Sequence, residues 1–255
     1  LGQCQRALQW LPNIENELTR NSLEVGLNAV IISASLSLGG FTSTTAAETA
    51  QRTLELAATM SSPPSTVMAL YTLTVHNHVT SRRGEAMAMG NRFVENAEAH
   101  GEEDALGAAR VVLAQCHWAD GNFQEAINLC NRAIESYQYD RDRLLGYRLG
   151  VDTLANAFMT KVTPLWIIGR TKESSSSIRT AIQHARRLEH PRSVGLALVC
   201  AAQLHALNGD REGVLRSVYE LGDLCRTFET RDSTPPSQDL RIRNHQFSPR
   251  LSLTM

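Results

Sequence analysis

Apolar residues recur at three- and four-residue spacing along most of the chain, which is the pattern of amphipathic α-helices. The pattern is clearest in Cys116–Glu135, which reads CHWADGNFQEAINLCNRAIE. Its glycine–asparagine pair predicts a tight turn between two helices. The apolar residues after the turn share one helical face: Phe123, Ala126, Ile127, Cys130, Ala133 and Ile134. A single helical hairpin cannot bury its own apolar face, so we expect neighbouring hairpins to stack against it.

The hairpin pattern recurs along the chain. The predicted turns between paired helices contain Gly40, Gly84, Gly121, Gly169 and Gly209. Their spacing is uneven and longer than the period of about 34 residues that defines a tetratricopeptide repeat, although the central hairpin carries the glycine, aromatic and alanine positions of that motif. We therefore predict an all-α, tetratricopeptide-like superhelix of about five antiparallel helix hairpins over residues 1–228. Its first repeat is expected to be incomplete at the N-terminus.

Two segments depart from this regularity. Residues 229–255 contain paired prolines and alternating charge without helical periodicity, which predicts a disordered tail. A proline at position 164 lies inside the helix expected over residues 152–168, so we predict a kink or a local break there.

The segment Tyr139–Asp152 is the one candidate for a binding role. It interrupts the repeat, combines aromatic and charged residues, and is predicted to form an irregular loop, where binding residues concentrate. Arginine and tyrosine also commonly anchor interfaces. The candidate interaction surface consists of Arg141, Arg143, Tyr147, Arg148 and Asp152. The alternative is a solvated connection in which the tyrosine packs against Trp166.

The sequence predicts no catalytic, cofactor-binding or metal-binding residues. It contains no phosphate-binding loop of the G-x-x-x-x-G-K-[ST] type. His76 and His78 are two residues apart on a predicted helix, so they point to different faces and cannot chelate one metal. The Cys116-His117 pair lacks two further ligands at zinc spacing. Cysteines within apolar helical stripes are usually inert, which argues against a nucleophile.

Composition bears on partners and compartment. The formal net charge is −1, without the basic excess or basic amphipathic helix that nucleic-acid or membrane-surface binding would need. None of the five cysteines has C-x-x-C spacing, and most lie in apolar patterns, which indicates free thiols in a reducing, cytoplasmic compartment. The apolar runs fall short of the roughly 20 residues that a membrane span requires, and no secretory leader is recognised.

Over about residues 20–228 the chain resembles the C-terminal helical repeat region of bacterial multidomain proteins. In those proteins a class III adenylate/guanylate cyclase domain precedes a signal-transduction P-loop ATPase, and the repeats follow. The most particular matches are LWIIG at 165–169, Tyr147 with GVD at 150–152, and His190-Pro191. The family usually has G-x-D-P where Thr153 stands here. The resemblance implies a right-handed superhelix, and the family's catalytic residues have no matching positions in this chain.

These observations favour a non-catalytic regulatory module of a signalling protein. Its concave face is expected to bind a peptide, a partner protein, a small effector or the upstream domains of a cyclase-like ATPase. One alternative is the sensor repeat region of an ATP-dependent bacterial transcriptional regulator, because related repeats occur there. Another is a non-functional fragment from a truncated reading frame.

Overall fold

The computed structural model describes residues 1–60 and 66–232, and these residues form α-helices, two short 3-10 helices and no β-strand. The α-helices in chain order are α1 (Gly2–Trp10), α2 (Glu17–Gly39), α3 (Thr44–Ala58), α4 (Val67–Val79), α5 (Arg83–His100), α6 (Glu103–Ala119), α7 (Phe123–Ser136), α8 (Tyr139–Leu149), α9 (Thr153–Thr160), α10 (Val162–Ile167), α11 (Thr171–Arg187), α12 (Pro191–Leu207) and α13 (Arg211–Asp232). The 3-10 helices span Leu11–Asn13 and Gly40–Thr42.

The helices pack as consecutive hairpins. The pairs are α2 with α3, α4 with α5, α6 with α7, α9 and α10 with α11, and α12 with α13. The second helix of each pair packs on the first helix of the next, and α1 packs on α2 at the start of the array. This arrangement confirms the predicted all-α superhelix of helix hairpins.

The turns inside the hairpins depend on a left-handed backbone residue. Gly121 and Gly169 both have φ of 81°, and Gly209 has φ of 71°. In the second hairpin Ser81, with φ of 62°, takes this place, and the predicted turn residue Gly84 lies inside α5. The prediction at Gly84 was wrong by three residues, because a serine adopted a conformation that glycine normally supplies.

Small and aliphatic side chains make the core. Ala126, Cys130 and Ala133 of the central hairpin are all at most 1% exposed, as their spacing predicts. Small side chains at these positions allow neighbouring helices to approach closely. Trp118 is 36% exposed, so it lies at the edge of this contact and not between hairpins.

The helix between residues 152 and 168 is broken, as the proline predicts. α9 ends at Thr160 and α10 begins at Val162. Pro164 therefore lies in the first turn of α10, where the backbone N–H that proline lacks has no partner within the helix.

Two predicted boundaries need correction. The segment predicted as an irregular loop is helix α8, which packs against α4, α6 and α9. It was missed because only Leu145 and Leu149 among its apolar side chains are buried, too few to give a visible period. At the other end, α13 continues to Asp232, past the boundary predicted at residue 228. The tail prediction otherwise falls on residues 233–255, outside the described residues.

Helix α2 combines length with an uncharged, apolar C-terminal part. Within the described part of the chain, Glu17–Thr42 is the one helical segment long and apolar enough to cross a membrane by length and composition, with a mean hydropathy of 1.5 over an 18-residue window. The expectation that no apolar stretch reaches this length was therefore wrong. A core helix of a packed protein meets the same criterion, and α2 packs against α3 and α4.

Candidate functional site

Helix α8 forms one wall of a groove against the first and last hairpins. The groove encloses about 220 Å³ and is lined by Ser33, Leu36, Ser37, Phe41, Tyr147, Arg148, Leu149, Gly150, His190 and Arg192. We call it the α8 groove. Its walls come from α2, the 3-10 helix after it, α8 and the start of α12. The groove therefore exists only because α8 lies across the first helices of several hairpins.

Arg192 is held in place by its surroundings. Its guanidinium carbon lies 6.0 Å from the centre of the Phe41 ring, within the range of a cation–π contact. On another side it lies over Gly150, where the Cβ atom of any larger residue would come within 3.0 Å of Nη1. Gly150 ends α8 with φ of 79°, so both its backbone conformation and the nearby arginine favour glycine there.

Arg148 and Arg192 leave the groove with uncompensated positive charge. Among the described residues neither arginine lies within 4.0 Å of a carboxylate, and no acidic side chain lines the groove. Arg148 is exposed. Both side chains line the groove, and each guanidinium group can donate hydrogen bonds in a planar fork to a carboxylate or another anion.

Tyr147 and His190 form the aromatic part of the groove. Their rings meet edge to face with centroids 4.8 Å apart, and the Tyr147 hydroxyl donates to the carbonyl of Leu188 at 3.3 Å. The His190 ring pairs through Nδ1 with the Ser193 hydroxyl at 2.7 Å. Burial lowers the pKa of His190, with a further decrease from Arg192 and an opposing effect of the Asp152 carboxylate. These contacts fix the two rings at the mouth of the groove.

A buried polar network beneath the groove is centred on Asp152. Its Oδ1 accepts hydrogen bonds from the backbone N–H of Ala155 and from Nε2–H of His184, both at 2.9 Å. Its Oδ2 accepts from the Tyr137 hydroxyl at 2.9 Å, and its own backbone N–H donates to Ser193 Oγ at 3.0 Å. Burial opposes ionisation of Asp152, but the bonds from His184, Ala155 and Tyr137 outweigh it and hold its pKa below the ordinary value.

The network ties the end of α7, the start of α9, α11 and α12 together; it does not assemble a nucleophile. Ser193 and His190 are within hydrogen-bond reach of each other, but the Ser193 side chain is fully buried and already accepts from the Asp152 backbone. The Asp152 carboxylate orients His184, not His190. The three residue types of a catalytic triad are thus present without its connectivity or access.

The structure places the five candidate surface residues in different environments. Tyr147 and Arg148 line the α8 groove. Arg141 is paired with the neighbouring buried Asp142 and donates to the Ser136 carbonyl at 2.8 Å. Arg143 stacks over Tyr139, 5.5 Å from the ring centre, away from the groove. Asp152 is 1% exposed, so its placement on an interaction surface was wrong.

Sequence reasoning missed the other half of the groove. Ser33 and Phe41 come from the first hairpin and Arg192 from the last, whereas α8 lies between the third and fourth hairpins. No local sequence pattern links these segments. The His190-Pro191 pair was selected only as part of the resemblance to the repeat family. Its position at the start of α12, where proline suits the first turn, was the one available signal.

A second cavity continues from the α8 groove along α2. It encloses about 390 Å³ and is lined by Ala29, Val30, Ser33, Ala34, Met68 and Arg148. Ser33 and Arg148 belong to both cavities, so the two form one continuous depression. Its α2 end is apolar and its α8–α12 end is positively charged.

Other reactive groups are placed unfavourably for chemistry. Burial raises the pKa of the Cys130 thiol to about 12 and those of Cys116 and Cys200 to about 11, which disfavours the thiolate. In the part of the chain that the structure describes, no three His, Cys, Asp or Glu side chains are grouped so that they could hold a metal ion.

Comparison with known proteins bears on the fold alone. No protein-family model matches the chain, and no curated protein matches it. Among solved structures it is similar to BtubC (BKLC) from P. vanneervenii, with a TM-score of 0.62 and 12% sequence identity over 98% of this chain and 97% of that one. The chain is thus similar in architecture to that protein over its whole length.

Proposed function

We propose that this chain is a non-catalytic regulatory and protein-interaction module of a signalling protein, and that the α8 groove is its binding surface. One observation carries the proposal. The groove brings Arg148 and Arg192, which have no carboxylate partner among the described side chains, together with exposed aromatic surface of Tyr147 in a concave site. Arginine and aromatic side chains in concave surfaces are the usual anchors of protein interfaces.

The resemblance in sequence supports a particular parent for the module. We propose a bacterial, cytoplasmic adenylate/guanylate cyclase-like ATPase, in which ligand binding to the repeats biases the catalytic domains. Such control requires that the ligand contact two states of the parent differently. Coding sequence for a cyclase domain in the same reading frame upstream would support this parent, and a DNA-binding domain in its place would contradict it.

The binding role can be tested without knowing the partner. We expect the purified chain to select peptides from a random peptide library displayed on phage, and those peptides to bind in solution. Ser33 is exposed and lines both cavities, so Ser33→Trp should obstruct them without disturbing the core and should abolish binding. Ser176→Trp, at an exposed position of α11, is the matched control and should bind normally. Selected peptides that bind both variants equally would contradict the assignment of the groove.

The non-catalytic assignment has its own measurement. The purified chain should neither hydrolyse ATP nor form cyclic nucleotides, because no phosphate-binding loop or paired catalytic aspartates can be placed in its sequence. Reproducible turnover that co-purifies with the chain would refute it.

A further inference from the structure

Helix α2 carries a second apolar line on the side opposite its buried face. The buried face contains Val25, Ile32 and Leu36. The other line consists of Leu23, Leu27, Val30, Ala34 and Leu38, whose three- and four-residue spacing places them along one side of the helix. We call these five residues the α2 stripe. Its outer leucines and its valine are 48%, 79% and 54% exposed, and the sequence contains no charged residue between Val25 and Ala47.

Comparison with the later hairpins shows what such a helix normally contacts. The first helix of the second hairpin, α4, packs against α3 on one side and α5 on another, and every residue from Val67 to Asn77 is buried. Among the described residues, α2 contacts α3 and α4, and the helix α1 that packs on its other end is nine residues long. At about 1.5 Å per residue, α1 is about 14 Å long and cannot cover the ~22 Å between Leu23 and Leu38. In the later hairpins, the first helix packs against the second helix of the preceding hairpin.

The apolar α2 stripe borders a positively charged side chain. Val30 and Ala34 line the cavity that Met68 of α4 and Arg148 of α8 complete. Among the described side chains of residues 1–60 and 66–227, Arg148 has no carboxylate within 4.0 Å, so the apolar line passes an uncompensated cation. An incoming apolar surface with an acidic side chain at its edge would match both features.

We infer that the α2 stripe docks an amphipathic α-helix of a partner protein, with an acidic side chain of that helix pairing with Arg148. The inference rests on the proposed function and names the ligand of the same depression. A helix fits better than an extended peptide because the apolar positions follow a line with helical spacing and because Gly26, Ala29 and Ser33 beside it permit close approach of a second backbone. A helix fits better than a bilayer because the middle of the stripe, Val30 and Ala34, lines a recess between α2, α4 and α8.

The probe is a synthetic peptide of about 18 residues, which forms about five helical turns. Leucine and alanine occupy one face, glutamine and lysine the other, and two glutamates lie at the edge of the apolar face. One matched peptide replaces the glutamates by glutamine, and another rearranges the same residues so that no apolar face forms. Binding to the full chain is measured by fluorescence anisotropy at low and high salt, and peptide helicity by circular dichroism.

The protein variants address the two features separately. Val30→Glu places a charge on the stripe and should weaken binding at least tenfold, because the carboxylate would be buried against an apolar helix. Val218→Glu is its control, since Val218 is a helical valine of similar exposure, 52%, on α13. Arg148→Gln should remove the preference for the glutamate peptide over the glutamine peptide, and Arg179→Gln, at an exposed position of α11, should leave it intact.

The outcomes separate this inference from the broader proposal. It is supported if the glutamate peptide binds more tightly than the glutamine peptide and gains helicity on binding. It also requires that Val30→Glu weaken this binding while Val218→Glu does not. It is overturned if the rearranged peptide binds equally, or if Arg148→Gln leaves the glutamate preference unchanged. It is also overturned if the chain binds neutral lipid vesicles and Val30→Glu abolishes that binding, which would make the stripe a membrane contact. Phage-selected peptides sensitive to Ser33→Trp but without an amphipathic pattern would overturn it while leaving the proposed function in place.

Discussion

Replacement of Asp152 should destabilise the protein strongly, because one carboxylate serves three donors from different parts of the chain. The donors are the backbone N–H of Ala155, the His184 ring and the Tyr137 hydroxyl, each at 2.9 Å. The first bond caps helix α9, and the other two hold α11 and the end of α7 against it. The side chain is almost completely enclosed, so water cannot take the place of a lost partner.

The expected loss follows from these contacts. Asp152→Ala removes a helix cap, at a cost of about 1 kcal/mol. It also leaves the donors of Tyr137 and His184 without their acceptor, at about 1–3 kcal/mol each. Because both losses belong to one network and are not additive, we expect a decrease of about 4 kcal/mol in the free energy of unfolding. Asp152→Asn keeps an oxygen for the cap and should cost about 1–2 kcal/mol.

Chemical denaturation followed by circular dichroism measures both variants. Asn16→Ala is the control, because the Asn16 side chain caps α2 through a 2.9 Å bond from the Thr19 N–H at an exposed site and makes no other hydrogen bond within the described part of the chain. It should cost only about 1 kcal/mol. If Asp152→Ala cost no more than Asn16→Ala, the carboxylate would be acting as a cap alone and the reasoning about the network would be refuted.

Three further predictions concern packing and pH. Trp118→Ala should cost about 1–2 kcal/mol, below the 3–5 kcal/mol of a fully buried tryptophan, because this ring is 36% exposed; thermal denaturation measures the loss. Gly146→Ala should destabilise by about 1–3 kcal/mol, because its Cβ would lie 2.9 Å from the Asp152 backbone, whereas Gly26→Ala has open space and should stabilise α2 by up to ~1 kcal/mol. The stabilising effect of ionised Asp152, whose pKa is lowered by folding, is complete above its unfolded-state pKa of about 3.9 and declines as the pH falls below it. The difference in stability between the wild type and Asp152→Asn should therefore be constant near neutral pH and shrink as the pH falls below about 4.

Helix α2 shows why a hydrophobic pattern can identify a helix and still leave its orientation open. Apolar residues of α2 lie on several sides of the helix, so the sequence predicts a helix here but not which side faces the core. The structure buries Asn28 and Ser35 with Ile32, and it leaves Val30 and Leu38 exposed. Among the described residues, the Asn28 Nδ2 and Ser35 Oγ atoms have no hydrogen-bond partner. The contacts of α3 and α4 determine the orientation, and no residue within α2 indicates them.

The candidate site illustrates the same division. Tyr147 and Arg148 could be selected from the sequence because they interrupt the repeat with aromatic and charged groups. Arg192 and Phe41 could not, because they reach the groove only after α8 folds back across the first helices of distant hairpins. Asp152 was selected for its charge, but its carboxylate is buried and accepts hydrogen bonds from Tyr137 and His184, which stabilise the fold.

The sequence by itself determined that this protein is an array of α-helical hairpins, since small and apolar residues at helical spacing leave each hairpin dependent on the next. It also located most turns, because backbone conformations there favour glycine. Only the tertiary structure decided that α8 is a helix lying across the array. It also decided which charged side chains of this segment are buried and which are accessible. Those properties depend on contacts between residues far apart in the chain, and helical periodicity carries information only about neighbours within a few turns.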